Sequence, residues 1–167
     1  MKLTKQFYMA DAIELAPKLL GKLICRNING NITKARITET ESYWGEDDTA
    51  CHAHKGRTRR TEVLYMEGGT SYVYLCYGIH YLFNVVAGEI GHPGGVLIRG
   101  TEGVSGPGKL TKILGIDISL NGLDLCTSDK IWLEDDGTFL DFKTARRVGI
   151  DYATDEYKYK PWRFIAK

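Results

Sequence analysis

The sequence lacks three features that would assign it to a class at once: paired cysteine motifs, long apolar runs and a strong excess of charge of one sign. No run of about 18 apolar residues occurs, so we expect no helix that spans a membrane. The first residues contain no apolar signal region, so we predict a cytoplasmic protein. The 22 Lys and Arg residues nearly balance the 21 Asp and Glu residues, so any contact with nucleic acid must depend on local basicity.

The cysteines are few and scattered. Cys25, Cys51, Cys76 and Cys126 form no C-x-x-C pair. This spacing is typical of reduced thiols and not of a disulfide framework or a common zinc site. A chain of 167 residues with ordinary apolar content needs no metal or disulfide to fold, and it has no internal repeat or flexible linker. We therefore predict one domain, residues 1–167, and no cofactor.

Hairpin signals dominate the pattern of secondary structure. Asn29-Gly30 joins two strand-like runs, and both residues tolerate the positive φ of a tight turn. A short helix is predicted from the cap at Asp11 to Gly21, and another near Lys109–Leu114. Further strands are predicted around IWLED and TFLDF, which a turn at Asp136-Gly137 joins, and in PWRFIA. Because hairpins outnumber β-α-β units, the predicted fold class is α+β with a largely antiparallel sheet.

The second strand of the first hairpin carries two carboxylates. Its two-residue period places one set of side chains on a face that begins apolar and is predicted to point inward: Ala35, Ile37, Glu39, Glu41 and Tyr43. The opposite face holds Lys34, Arg36, Thr38 and Thr40. The carboxylates belong either to a solvated strand end or to a site in which Glu41, beside Tyr43, activates water.

A polar segment that is rich in histidine follows this strand. Cys51, His52 and His54, together with Glu41, are residue types that bind zinc, but their spacing matches no common ligand pattern. The alternative is that a histidine lines a polar pocket or satisfies the backbone of the loop.

Basic residues cluster in the same segment. Lys55, Arg57, Arg59 and Arg60 form either a solvated loop or a patch that contacts phosphates. Lys109, which follows a glycine-rich loop at a predicted helix start, is a further candidate for one backbone phosphate.

An aromatic hairpin is predicted over residues 71–86. Tyr72 and Tyr74 share one face, and Tyr77-Gly78 forms the turn, where small polar residues are usual. An exposed tyrosine at such a tip is suited to fill the gap that an extruded nucleotide leaves in a base stack. Rings of the kind supplied by Tyr74 favour a cationic base, because the ring face attracts positive charge.

Several longer stretches of the sequence resemble the alkyladenine (3-methyladenine) DNA glycosylases. These stretches are ITETESYWGEDDTACHA, GTSYVYLCYGIHYLFNVV, VLIRG, GPGKL, RRVGI and KPWRFI, and they occur in the family's order over nearly the whole chain. The resemblance implies a single α+β domain with a curved, largely antiparallel sheet, peripheral short helices and a protruding hairpin that inserts into DNA. It also implies a metal-free, monofunctional enzyme that excises damaged purines from double-stranded DNA and leaves an abasic site.

The resemblance gives each candidate residue a role. Glu41 is the expected general base, and Arg99 positions the chemistry beside it. The expected pocket for the flipped base consists of Tyr43, His52, Tyr74 and Asn84. Asn84 is expected to disfavour the guanine 2-amino group, and Tyr77 to intercalate into the DNA. Independently of the resemblance, local basicity makes Arg57, Arg60 and Lys109 the candidate contacts with the DNA backbone.

The sequence departs from the family's pattern in two places. Only the short stretch GTEGVS separates the VLIR strand from the glycine-rich loop, where family members place a further, largely helical segment. Arg59 also stands where the family commonly has proline. Neither departure falls on a pocket residue.

No lysine occupies a position that the resemblance assigns to the pocket, so we expect no Schiff-base step. We expect a monomer with no membrane partner. Two alternatives stay open: a non-catalytic reader of distorted DNA, and a metal hydrolase built on Glu41, Cys51, His52 and His54.

Overall fold

Nine antiparallel strands organise the backbone of residues 1–167, which a computed structural model describes in full. The strands are Leu23–Ile28 (β1), Asn31–Tyr43 (β2), Ser71–Cys76 (β3), His80–Val86 (β4), Gly95–Thr101 (β5), Val104–Ser105 (β6), Ile131–Glu134 (β7), Phe142–Ala145 (β8) and Arg163–Ala166 (β9). The α-helices are Ala12–Leu19 (α1), Pro107–Leu114 (α2) and Asp155–Lys158 (α3). Short 3₁₀ helices cover Lys5–Met9, His52–Lys55, Glu62–Tyr65 and Ile118–Leu120. No helix has the length and apolar character needed to cross a membrane.

The sheet is built around β2, whose 13 residues make it the longest strand. The main strand order is β3-β4-β5-β2-β1-β7, and β6, β9 and β8 are attached to β5, β2 and β9 respectively. The first half of β2 pairs with β1, and its second half pairs with both β5 and β9. Two shifts in the β2–β5 register increase the local twist, so the sheet curls. The predicted α+β class with a curved antiparallel sheet is confirmed.

Helix α1 forms where the sequence predicts it. Asp11 caps it by accepting hydrogen bonds from the N–H groups of Ile13 and Glu14, both at 2.9 Å. The helix ends at Leu19, two residues before the predicted stop at Gly21. Its buried side chains pack against β2 and cover one face of the strand's second half.

The predicted division of β2 into an inner and an outer face is wrong in its second half. Thr40 was expected to point outward, but it is fully buried and donates a hydrogen bond to the Ala16 carbonyl of α1 at 2.9 Å. Ser42 donates to the Ala12 carbonyl in the same way, at 2.7 Å. The register shifts after Ile37, so Ile37 joins the main core whereas Glu41 points to the opposite side. Both faces of the strand are therefore buried here.

The main core lies on the α1 and α2 side of the sheet. It is a cluster of 23 buried residues, to which β3 and β4 contribute Val73, Phe83 and Val85. A separate cluster of six buried residues lies on the other side and includes Tyr72 and Val86. The alternating side chains of the β3–β4 hairpin thus divide between the core and the opposite face, where the cavity described below opens.

Two elements in the second half of the chain differ from the prediction. The TFLDF stretch does not return as a strand beside β7, since β8 begins only at Phe142 and pairs with β9. Helix α2 begins at Pro107, two residues before the predicted start, because proline fits the first turn of a helix. The Asn29-Gly30 turn is confirmed, with φ values of 52° and 88°.

Candidate active site

A large cavity of about 1120 Å³ opens beside the β3–β4 hairpin. The segment after β2, the start of α2 and the segment before α3 complete its walls. Eight predicted site residues line it: Tyr43, His52, Arg60, Tyr74, Tyr77, Asn84, Arg99 and Lys109. Small-molecule pockets usually have volumes of about 300–1,000 Å³, so this cavity has room for part of a larger substrate.

Glu41 lies directly behind the wall of this cavity and is fully buried. Its Oε1 accepts a hydrogen bond from the Tyr43 hydroxyl at 3.0 Å, and its Oε2 accepts one from the Val148 backbone N–H at 2.7 Å. Arg99 Nη1 lies 3.5 Å from Oε1. Tyr43, Val148 and Arg99 all line the cavity, so a small movement among them would expose the carboxylate.

The surroundings of Glu41 make it a stronger base than an exposed glutamate. Burial raises the pKa of its carboxyl group, and Arg99, the Val148 N–H and the Tyr43 hydroxyl oppose that rise in decreasing order. Burial also raises the pKa of Tyr43 well above its usual value, and the neighbouring Glu41 raises it further. Tyr43 therefore stays protonated and donates to the carboxylate.

Arg99 lies between Glu41 and a second carboxylate. Its Nε is 3.7 Å from Glu39 Oε1, and this Nε is buried without a hydrogen-bond partner. Glu39 has a closer partner on β9, because Arg163 Nη1 lies 2.9 Å from the same oxygen. Arg99 is thus held by two long contacts and no short one.

Three aromatic side chains form one wall of the cavity. His52 Nδ1 is hydrogen-bonded to the Tyr72 hydroxyl at 3.0 Å, and the His52 and Tyr74 ring centroids are 4.6 Å apart. Burial, followed by the charges of Arg60 and Lys55, lowers the pKa of His52 to about 4. His52 is therefore neutral near pH 7 and does not repel a cationic ligand.

Asn84 is fixed within this wall. Its side-chain amide donates a hydrogen bond to the Tyr72 carbonyl at 3.1 Å, and the residue pairs with Leu97 across β4 and β5. Both Asn84 and Leu97 line the cavity. The orientation of the Asn84 amide is therefore set before a ligand enters.

The tip of the β3–β4 hairpin is exposed. Tyr77 is 86% exposed and Ile79 is 72% exposed. The φ angles of Tyr77 and Gly78 are 52° and 66°, so a bulky residue occupies the left-handed region beside a glycine. Strain of this kind at an exposed tip points to a functional residue, because packing does not require it there.

The basic candidates have different surroundings. Arg57 is paired with Glu62 through two hydrogen bonds of 2.9 and 2.7 Å. Arg60 instead lies over the Tyr74 ring, 5.2 Å from its centroid, and lines the cavity. Lys109 is exposed in the first turn of α2, also at the cavity. Arg57 is the only one of the three whose charge is already matched.

A buried ion pair that the sequence did not predict supports the site. Arg147 forms two hydrogen bonds with Asp48, of 2.6 and 3.0 Å, and both side chains are fully buried. Arg147 also donates to the Ser42 carbonyl at 3.0 Å, which fixes the segment that brings the Val148 N–H to Glu41. The only sequence signal was the RRVGI motif, to which no role was given.

Tyr152 was also missed. Its hydroxyl donates to the Ala50 carbonyl at 2.9 Å, yet the residue is 69% exposed and lines the cavity. No spacing in the sequence links it to the site.

The residues of the metal-hydrolase hypothesis do not converge. His52 Nδ1 is bound to Tyr72, and His54 Nδ1 is bound to the Glu46 carbonyl at 2.7 Å. No group of three His, Cys, Asp or Glu side chains is arranged to hold a metal ion. The geometry gives this hypothesis no support.

Comparison with known proteins places the chain in a family. The family model described as methylpurine-DNA glycosylase (MPG) matches residues 6–106 and 101–167, so the chain belongs to this family. The resemblance seen in the sequence motifs is thereby confirmed, and the chain is assigned to the DNA glycosylases of DNA repair.

Relatives with a more specific description are similar over their full length. A protein of Natranaerobius thermophilus named "Putative 3-methyladenine DNA glycosylase" is 44% identical, over 100% of this chain and 96% of its own. Proteins with the same name from Borrelia garinii subsp. bavariensis and Clostridium perfringens (strain SM101 / Type A) are 44% and 40% identical. These alignments cover 98% and 100% of this chain, and 95% and 96% of the relatives.

The alignments also support the shortened connection. The Natranaerobius alignment spans 191 positions, 24 more than the 167 residues of this chain (191 − 167 = 24). The two segments matched by the family model meet at residues 101–106, where a tight turn joins β5 to β6.

Proposed function

We propose that this protein flips a damaged purine out of double-stranded DNA and hydrolyses its N-glycosidic bond, leaving an abasic site. One observation carries the proposal: a buried glutamate, Glu41, lies directly behind a cavity with a tyrosine and histidine wall. The family membership and the relatives' names support a glycosylase that acts on 3-methyladenine or similar lesions.

In the proposed reaction, Glu41 is the general base. Water at the cavity wall gives a proton to Glu41 while its oxygen forms a bond to C1′ of the damaged nucleotide. The bond between C1′ and the purine nitrogen breaks, and its electrons leave with the base, through a transition state of oxocarbenium character. The 3.5 Å contact with Arg99 is the longest of the three made by Glu41, so water most easily enters on that side.

The cavity wall favours an alkylated purine. A purine methylated at N3 or N7 is cationic, and it leaves as a neutral molecule that needs little help from an acid. The rings of Tyr43 and Tyr74 attract positive charge, and each already has one cation over it, Arg147 and Arg60 respectively. We propose that the cationic base uses the opposite ring faces, and the neutral His52 does not repel it. We propose that Asn84 contributes selectivity, because its amide is fixed at the cavity wall that the flipped base would meet.

Hydrolysis fits the site better than a Schiff-base reaction. Lys55 and Lys109 line the cavity, but both are exposed, and neither contacts Glu41. An amine nucleophile is usually activated by burial or by a neighbouring cation, and exposed lysines lack the first of these. The proposed enzyme is therefore monofunctional. We also propose that it acts as a monomer.

The test is incubation of the protein with duplexes that each carry one lesion: 3-methyladenine, 7-methylguanine, hypoxanthine or ethenoadenine. Alkaline cleavage then reveals abasic sites. We expect cleavage at one or more lesions, none in an undamaged duplex, and strong loss with Glu41→Gln. Tight binding of a damaged duplex without abasic sites at any lesion would instead identify a non-catalytic reader of distorted DNA.

A further inference from the structure

Arg99 is placed between two carboxylates without a close ion pair to either. Its Nε lies 3.7 Å from Glu39, and its Nη1 lies 3.5 Å from Glu41. Charge-assisted hydrogen bonds between a guanidinium and a carboxylate are usually about 2.7–2.9 Å long. Both contacts are longer than this, and the buried Nε has no other partner. Arg99 is therefore shared between the two glutamates.

Glu39 is itself shared between two arginines. Arg163 Nη1 is 2.9 Å from its Oε1, and the Nε of Arg163 is fixed by the Arg146 carbonyl at 2.8 Å. The four side chains form a row of alternating charge across three strands: Arg163 on β9, Glu39 on β2, Arg99 on β5 and Glu41 on β2. We expect a change at one end of this row to alter how Arg99 divides between its two carboxylates.

We propose that Glu39 is a positioning residue that holds Arg99 back from a close ion pair with Glu41 and so preserves Glu41 as a base. The inference rests on the proposed function, because it concerns the same carboxylate. A close arginine lowers the pKa of a carboxyl group by about 1–3 units. A base with so low a pKa would take a proton from water poorly, since a general base works best near the working pH.

The other groups that face Glu41 are independent of Glu39. They are the Tyr43 hydroxyl from β2, and the Val148 N–H and the Arg147 guanidinium from the segment after β8. Glu39 contacts none of them; its ion pairs are with Arg163 and Arg99. Burial raises the pKa of Glu41, and Arg99 is the strongest of the opposing influences, so the position of Arg99 matters most.

The first test measures the Glu41 titration directly in the free protein. Glutamate labelled with carbon-13 at Cδ reports each carboxyl group by NMR, and Glu41→Gln identifies the Glu41 signal. Glu39→Gln should lower the midpoint of Glu41 by about one pH unit, because Arg99 then pairs with Glu41 alone. Arg163→Gln should raise the midpoint, because Glu39 then draws Arg99 away. A loss of packing would not move the midpoint in opposite directions.

The second test asks whether Glu39 acts through Arg99. In an Arg99→Gln background, Glu39→Gln should no longer shift the Glu41 midpoint, which is a non-additive result in a double-mutant cycle. A shift of the same size in both backgrounds would overturn the proposal, as would an unchanged midpoint in Glu39→Gln. Thermal melting checks that each variant folds; Arg163→Gln tests the proposal alone if Glu39→Gln does not fold.

Excision supplies a separate readout. The acid limb of single-turnover excision of 7-methylguanine should move in the same direction as the NMR midpoint in each variant. If the unaltered protein excises nothing while the midpoints move as expected, the proposed function fails and the positioning role of Glu39 survives. If excision occurs and the midpoints do not move, only the positioning role fails.

Discussion

Two parts of the cavity are built in different ways. We call the buried groups behind its wall the floor, and the exposed hairpin tip and basic residues at its opening the rim. At the floor, Glu41 is fully buried and hydrogen-bonded, and the Asp48–Arg147 pair behind it is buried as well. At the rim, Tyr77 is exposed, and so is Ile79 beside it at the tip of the hairpin. The groups that we propose to react are thus fixed by folding, whereas the rim residues are free to contact a partner.

This difference separates two kinds of effect. Breaking a buried ion pair such as Asp48–Arg147 costs about 3–5 kcal/mol of stability, because one charge is left without its partner. Substitutions on an exposed surface usually change stability by about 0.5 kcal/mol or less. Floor residues are therefore tested most cleanly by isosteric changes, and rim residues by truncation.

The largest effect is expected at the floor, from Glu41→Gln. The amide keeps the shape of the side chain but cannot take a proton from water, so excision should fall by about 10²–10⁴-fold, the usual contribution of a general base. Binding of damaged DNA should be retained. Single-turnover excision and a binding titration with the same lesion-containing duplex measure the two properties.

The matched control is Glu39→Gln, which makes the same chemical change at the carboxylate two positions earlier in β2. It should reduce excision less than Glu41→Gln does, because Glu39 acts only through Arg99. Excision by Glu41→Gln at the rate of the unaltered protein would remove the proposed mechanism.

The second effect is expected at the rim, from Tyr77→Ala. Extruding a base costs a few kcal/mol of lost pairing and stacking, and an inserted ring returns about 1–3 kcal/mol of this by stacking. Its loss should shift the flipping equilibrium back by roughly 10- to 100-fold, at about 1.4 kcal/mol per tenfold. The penalty should be smaller for a mispaired lesion, whose base is already loosened. Excision from matched and mispaired duplexes measures this difference.

Controls for Tyr77 follow from its exposure. Tyr77→Phe keeps the ring and should behave like the unaltered protein, and both variants should melt normally, because the side chain packs against little in the free protein. Tyr74→Ala should weaken recognition of the flipped base while leaving the wedge in place. If Tyr77→Ala unfolds the protein but each folded molecule excises normally, the tyrosine is a core residue and the wedge interpretation is wrong.

The sequence predicted the rim better than the floor. Tyr77-Gly78 is a turn signal that two adjacent residues carry by themselves. Both residues adopt a positive φ at this turn. The Val148 N–H, in contrast, lies 107 positions along the chain from Glu41, and only the folded sheet brings the two together. The pairing of Arg147 with Asp48 has the same long-range origin.

Local irregularity limited the prediction within β2. The two-residue period holds along a regular strand, but the register shifts between Ile37 and Thr40 are set by the partner strand β5. Thr40 was therefore assigned to the wrong face, although Glu41 and Tyr43 were correctly placed together. The family motifs assign roles to residues by position, so the prediction of the site residues did not depend on the face assigned to each one.

The smallest effect is expected where the rim is most charged, from Arg60→Ala and Arg57→Ala. Affinity for DNA falls as salt rises, because binding releases counterions from DNA. Each phosphate contact by a basic residue adds about 0.9 to the magnitude of the slope of log affinity against log salt, and the slopes below are compared by magnitude. Arg60 lines the cavity with no carboxylate partner, so Arg60→Ala should lower this slope by about one contact. Arg57 is already paired with Glu62, so Arg57→Ala should lower it less, and Glu62→Gln, which frees Arg57, should raise it. Binding to an undamaged duplex at several salt concentrations measures all three slopes.

A variant with both Arg57→Ala and Arg60→Ala is the strongest test of this segment. If the slope is unchanged in every variant, including this double variant, the segment is a solvated loop. The DNA backbone then lies against another part of the rim, and Lys109→Ala is the next variant to measure.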